Sequence, residues 1–127
     1  KKGSVSGLIL SNLTKGRGPE IPLSPLDPSP PADRGGLSGR AVREKADAAL
    51  RFAFRETGGE VPLIGLGGVF SAEDAYQKVR LGASLVQLVS GLIFRGPTIA
   101  SDVLLGLVER LERDGFSHIS EAVGVDA

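Results

Sequence analysis

The stretch "VPLIGLGGVFSAEDAYQKVRLGASLVQL", residues 61–88, decides the fold. It opens on an apolar run, Val61 to Leu66, with no polar face. A run of that length reads as a strand buried on both sides. Gly67-Gly68 ends it. Ser71 then opens a helix over Ser71 to Leu81, with Ala72, Ala75, Tyr76 and Val79 on one stripe. Ser71 and Asp74, three residues apart, resemble a capping box, although Glu is the usual partner. Gly82 stops the helix, and Leu85 to Val89 is another nearly all-apolar strand. Strand, helix, strand with fully apolar strands means parallel pairing.

The pattern continues in both directions. Upstream, "SVSGLILSN" gives a strand over Val5 to Leu10. The segment from Ala41 to Thr57 is helical, with Ala46, Leu50 and Phe54 on one stripe and Val42, Ala49 and Ala53 beside it; Gly58-Gly59 ends it. Between them, residues 15–34 form a proline-rich loop or insertion: six of the eight prolines fall between Pro19 and Pro31. Helix and ladder strand do not survive that density of fixed φ and missing donors. Downstream, Pro97 suits the first position of a helix whose apolar face is Ile99, Val103, Leu104, Leu107, Val108 and Leu111, and Gly115 ends it. Ser117 to Val123 reads as one more short helical turn. Three strands fall short of a (β/α)8 barrel, which needs eight strands and roughly 250 residues. The chain is therefore either a small open α/β sheet or the last part of such a barrel.

Composition excludes several classes. The 127 residues carry 15 Lys plus Arg against 15 Asp plus Glu, so there is no electrostatic footprint for nucleic acid. The mixed-sign face between Arg40 and Arg55 reads as a solvated helix surface. The absence of cysteine removes disulfides, thiolate metal sites and a cysteine nucleophile. No apolar run reaches the ~20 residues of a membrane span, and Lys1-Lys2 is not followed by the apolar core of a signal peptide.

The glycines point to an anion. Gly35, Gly36 and Gly39 in "GGLSG", Gly67 and Gly68, and Gly91 in "LVSG" each lie C-terminal to a strand. Parallel strands carry those loops at one edge of the sheet. There, bare backbone N–H groups and a helix N-terminus form an anion site. In barrels, the loops after the last two strands often build it. A dinucleotide fingerprint fits poorly: "GLGGVF" lacks a third glycine in register, and no acidic residue ends the next strand.

Together, "SNLT", "GGLSG", "VPLIGLGGVFSAEDAYQKVRLGASLVQL", "GP" and the closing "GF…EAVG" resemble the C-terminal part of dihydroorotate dehydrogenase. "GASLVQL" is similar to the class 2, quinone-using branch. The resemblance covers nearly the whole chain outside the proline-rich segment. It implies the C-terminal part of an FMN-binding TIM barrel. That barrel oxidises dihydroorotate to orotate in pyrimidine synthesis and passes electrons through flavin to ubiquinone. It implies that Ser11 and Asn12 pass under the flavin, with Asn12 also on the orotate. Ser38 and Gly39 would lie near the FMN phosphate, Gly67 and Gly68 would be its binding pair, and Leu88, Val89 and Ser90 would finish the cup. It also implies a mitochondrial inner membrane setting, or a bacterial inner membrane if the source is prokaryotic.

There are departures. Leu13 stands where the family has a threonine that helps hold substrate, and Val89 stands where the family has an aromatic. The proline-rich stretch is longer than the common loop. By resemblance, the catalytic serine, the flavin-contacting lysine and the quinone-site helices lie upstream, so no catalytic residue is assigned in this chain and an N-terminal portion is the expected partner. His118 reads as a plain polar position, and Glu73-Asp74 as serving their helix N-terminus. Two other readings remain open here: a piece of another phosphate-binding barrel, or a non-catalytic module displaying its proline-rich loop. A three-strand piece would expose sheet edges and barrel interior, so self-association or poor solubility is expected.

Overall fold

The computed structural model of the chain describes residues 5–15 and 36–127. The proline-rich segment therefore lies outside the described residues apart from Lys15, and so does Gly35. Three parallel strands, β1 (Leu8–Leu10), β2 (Leu63–Leu66) and β3 (Ala83–Gln87), form one sheet in the order β1-β2-β3. The strands differ in their limits from the apolar runs. Pro62 has no N–H to give, so the ladder of β2 starts at Leu63, while the Pro62 carbonyl accepts from Leu8 N–H at 3.0 Å. β3 begins two residues earlier than expected, at Ala83. Its register skips Ser84 at an irregularity opposite Leu63/Ile64, so the polar residue sits in the bulge. Leu88 and Val89 leave the ladder.

The helices are α1 (Arg43–Thr57), α2 (Ala72–Arg80), α3 (Ser90–Arg95) and α4 (Ile99–Asp114). Instead of one helix from Ala41, a 3₁₀ turn over Gly39–Val42 leads into α1. Ala49 is exposed, while Ala46 and Leu50 are buried as expected. The sequence pattern does not mark α3. Its presence moves the start of α4, whose N-cap is Thr98, so Pro97 lies just outside that helix rather than at its first position. Leu104 and Val108 are exposed, contrary to their place on the expected face. Ile99, Val103 and Gly106 are the buried positions of α4. A 3₁₀ turn over Ile119–Ala122 is the expected final turn.

Leu50, Leu63, Leu81 and Ala83 form a core between α1 and the sheet. Val69, Ala75, Ile99 and Val103 form a second under α2 and α4, and Tyr76, Val79 and Ala122 a third. The mixed-sign face of α1 is not simply solvated. Asp47 accepts from the buried Lys78 Nζ at 2.6 Å, and Arg43 pairs with Asp74, so both ions tie α1 to α2.

Candidate functional site: a glycine-lined cleft at the strand ends

A cleft of about 220 Å³ opens at the C-terminal ends of the strands. The loop after β1 brings Asn12 and Leu13 to it, and the 3₁₀ turn before α1 brings Ser38 and Gly39. The loop after β2 brings Gly67 and Gly68, and the end of β3 brings Leu88, Val89 and Ser90. The structure thus gathers every residue expected around the cofactor except Ser11, which does not line the cleft. Ser11 has a left-handed backbone, φ 77°, rare for a residue with a side chain. That turn redirects the chain after β1. The anchor behind it is a two-way backbone pair: Thr14 N–H donates to the Leu37 carbonyl and Leu37 N–H to Thr14, each at 2.9 Å.

The cleft suits an anion. None of its lining residues is acidic. The Ser38 and Ser90 hydroxyls hydrogen-bond across it at 3.0 Å. The buried Gly68 and Val69 N–H groups donate to no other described residue. The Arg40 guanidinium lies over the Phe70 ring, 5.0 Å from its centroid. Two glycines allow the walls to close. A Cβ on Gly91 would lie 2.2 Å from the Val69 carbonyl oxygen, and one on Gly68 would lie 2.9 Å from Arg43 Cα.

One part of the anion argument changes. The N-terminus of α2 is already occupied by its own caps. Ser71 Oγ accepts from Asp74 N–H at 3.2 Å, and Asp74 Oδ2 accepts from Phe70 N–H at 2.9 Å. The reciprocal cap therefore reaches Phe70 rather than Ser71. Available donors lie in the loops instead. Asp74 serves its helix N-terminus as expected, while the exposed Glu73 pairs with Arg110 at 2.8 Å. His118 is a polar capping residue: its Nδ1 accepts from Ser120 N–H, and Glu121 accepts from His118 N–H, both at 3.2 Å.

The sequence reading missed Val69 and Phe70 as walls, the helix α3 behind Ser90, and the Arg43–Asp74 tie beneath the loop. The tie had one visible signal, the spacing of Ser71 and Asp74. Its partner is 31 residues away.

Parallel strands, covering helices and a cleft at the strand ends fit a segment of a TIM barrel. The family model for dihydroorotate dehydrogenase matches residues 2–111, and the chain belongs to that family. It is 44% identical over 99% of its length to the dihydroorotate dehydrogenase (quinone) of Synechocystis, and covers 34% of that protein. It is 47% identical over 94% of its length to the protein of the same name from Deinococcus radiodurans, covering 31%. The crystal structure of the Eimeria tenella enzyme in complex with ferulenol superposes with a TM-score of 0.84 at 32% identity, over 96% of this chain and 31% of that one. The chain spans about a third of the length of these relatives.

Proposed function

We propose that the chain supplies the phosphate-holding part of the FMN site of a quinone-dependent dihydroorotate dehydrogenase, and that catalysis requires an N-terminal portion. The single observation that carries this is the convergence of the loops after β1, β2 and β3 on one cleft without an acidic wall. The relatives are named dihydroorotate dehydrogenase (quinone), and the reaction would be oxidation of dihydroorotate to orotate in pyrimidine synthesis, with ubiquinone as electron acceptor. Gly67, Gly68 and Val69 would offer backbone N–H groups to the FMN phosphate. Ser38 and Ser90 would offer hydroxyls, with Gly39, Leu88 and Val89 setting the walls. FMN held there would supply a hydride acceptor. Asn12 would face substrate from the end of the β1 loop. Leu13 beside it gives an apolar surface with no hydrogen bond to offer, the described lining holds no Asp, Glu, His or Lys, and its Ser38 and Ser90 hydroxyls are given to the phosphate. Proton removal is therefore assigned to the N-terminal portion. Quinone use would put the complete enzyme at a membrane. Relatives in Synechocystis and Deinococcus support a bacterial inner membrane over a mitochondrial one.

The test is a comparison of FMN with riboflavin, titrated into the barrel completed with its N-terminal portion. A phosphate cup requires much tighter binding of FMN. Equal affinities would remove the assigned role of the glycine loops.

A further inference from the structure

Beneath the cleft, one carboxylate makes two contacts that the anion site itself does not use. Asp74 Oδ2 accepts the Phe70 N–H at 2.9 Å, and its Oδ1 is paired with Arg43 Nη1. Asp74 is nearly buried, at 8% exposure. Phe70 belongs to the loop that carries Gly67 and Gly68 into the cleft. Arg43 is the residue whose backbone crowds Gly68. The carboxylate therefore joins the far end of the glycine loop to the start of α1, and the near end of that loop is pressed on the same α1 residue.

We infer that Asp74, paired with Arg43, is a positioning residue for the anion cup: by holding Phe70 N–H it fixes the loop so that the Gly67, Gly68 and Val69 N–H groups face the cleft. This rests on the FMN reading given above. The sign of the effect separates positioning from simple electrostatics. A carboxylate near an anion site repels the anion, and removing it would also leave Arg43 without this partner. Charge alone therefore makes Asp74→Ala bind FMN more tightly. Loss of loop position makes it bind more weakly.

FMN dissociation constants, followed by flavin fluorescence in the completed barrel, test this directly. Asp74→Ala is expected to weaken FMN about tenfold, the scale of one charge-assisted hydrogen bond. Asp74→Asn keeps an acceptor for Phe70 N–H and is expected to lose less. Ser71→Ala removes the α2 cap without touching the loop and is expected to stay within about twofold. The double variant R43A/D74A should be no weaker than D74A alone, since the two groups act as one unit. Unchanged or tighter binding in D74A overturns the inference, as does an equal loss in S71A.

If the wild-type barrel takes up no FMN, the cofactor reading fails, and amide hydrogen exchange at Phe70 in this chain judges the clamp. Faster exchange in D74A and R43A but not in S71A upholds it; unchanged exchange overturns it.

Discussion

Gly68 is one of the residues on which the cleft is tightly built. Its φ is +78°, and a Cβ there would meet Arg43 Cβ at 2.4 Å and Cα at 2.9 Å. The second contact is with backbone, so a side chain cannot swing clear. Gly68→Ala is expected to lower stability by about 1–3 kcal/mol, from left-handed strain plus displacement of α1. Urea unfolding measures it, and a loss under half a kcal/mol would mean that α1 gives way freely. The sequence revealed the Gly67-Gly68 pair because a doubled glycine after an apolar run is a local signal. It could not reveal Arg43 as the reason for the second glycine, because that contact spans the chain. Leu13 is the opposite case. Its departure from the family's threonine was legible, and the structure places it on the cleft wall, 45% exposed. Leu13→Thr is expected to lower KM for dihydroorotate in the completed enzyme by restoring a hydroxyl. An unchanged KM would show that Asn12 and the N-terminal portion hold substrate without it.

At the scale of elements, α1, α2 and α4 were legible because nine or more residues of period 3.6 outweigh local ambiguity. α3 has six residues, begins Ser90-Gly91 and presents Leu92, Ile93 and Phe94 to solvent, so no amphipathic period marks it. The ion pairs between elements were also illegible. Lys78 lies on α2 next to its apolar stripe, and Asp47 across the helix interface pairs with its buried ammonium. Asp47→Ala is expected to cost about 3 kcal/mol, because it strands a buried ammonium; thermal unfolding would read a large drop. Also on α2, Tyr76 donates to Asp114 at 2.8 Å, and Arg80 holds Asp126 through two nitrogens at 2.6 and 2.9 Å. The Asp126 carboxyl is held below the usual carboxylate range by the hydrogen bond from Arg80, and the Asp114 carboxyl by those from Arg113 and then Tyr76. Both shifts stabilise the fold above the ordinary carboxylate pKa of about 3.9, and the benefit disappears as pH falls through the lowered values. The groups are partly exposed, so the contribution is modest and salt-sensitive. Arg80→Ala should flatten the acid limb of stability against pH. An identical limb in the variant would exclude the network as its source.

At the scale of the whole molecule, the apolar surface is that of an unfinished barrel. β1 and β3 are the outer strands of the described sheet, and each exposes a large side chain, Ile9 at 58% and Leu85 at 63%. Leu104, Leu105 and Val108 of α4 and Ile93 and Phe94 of α3 are exposed as well. Such area is covered in stable proteins. In isolation the chain is expected to elute from a sizing column well above its 13.2 kDa, or to precipitate; a sharp monomer peak would contradict that. The barrel character was legible from the alternation of strands and helices together with the family motifs. The strand count alone left an open sheet equally possible, because closure is a property of strands this chain does not contain.

The central claim is that this chain holds FMN as one part of a two-part barrel. Its most direct test is the visible absorbance spectrum of material purified after co-expression with the N-terminal portion, with intact mass on the same sample. Flavin bands in a preparation containing both portions are expected. Two portions that co-purify without flavin would contradict the claim.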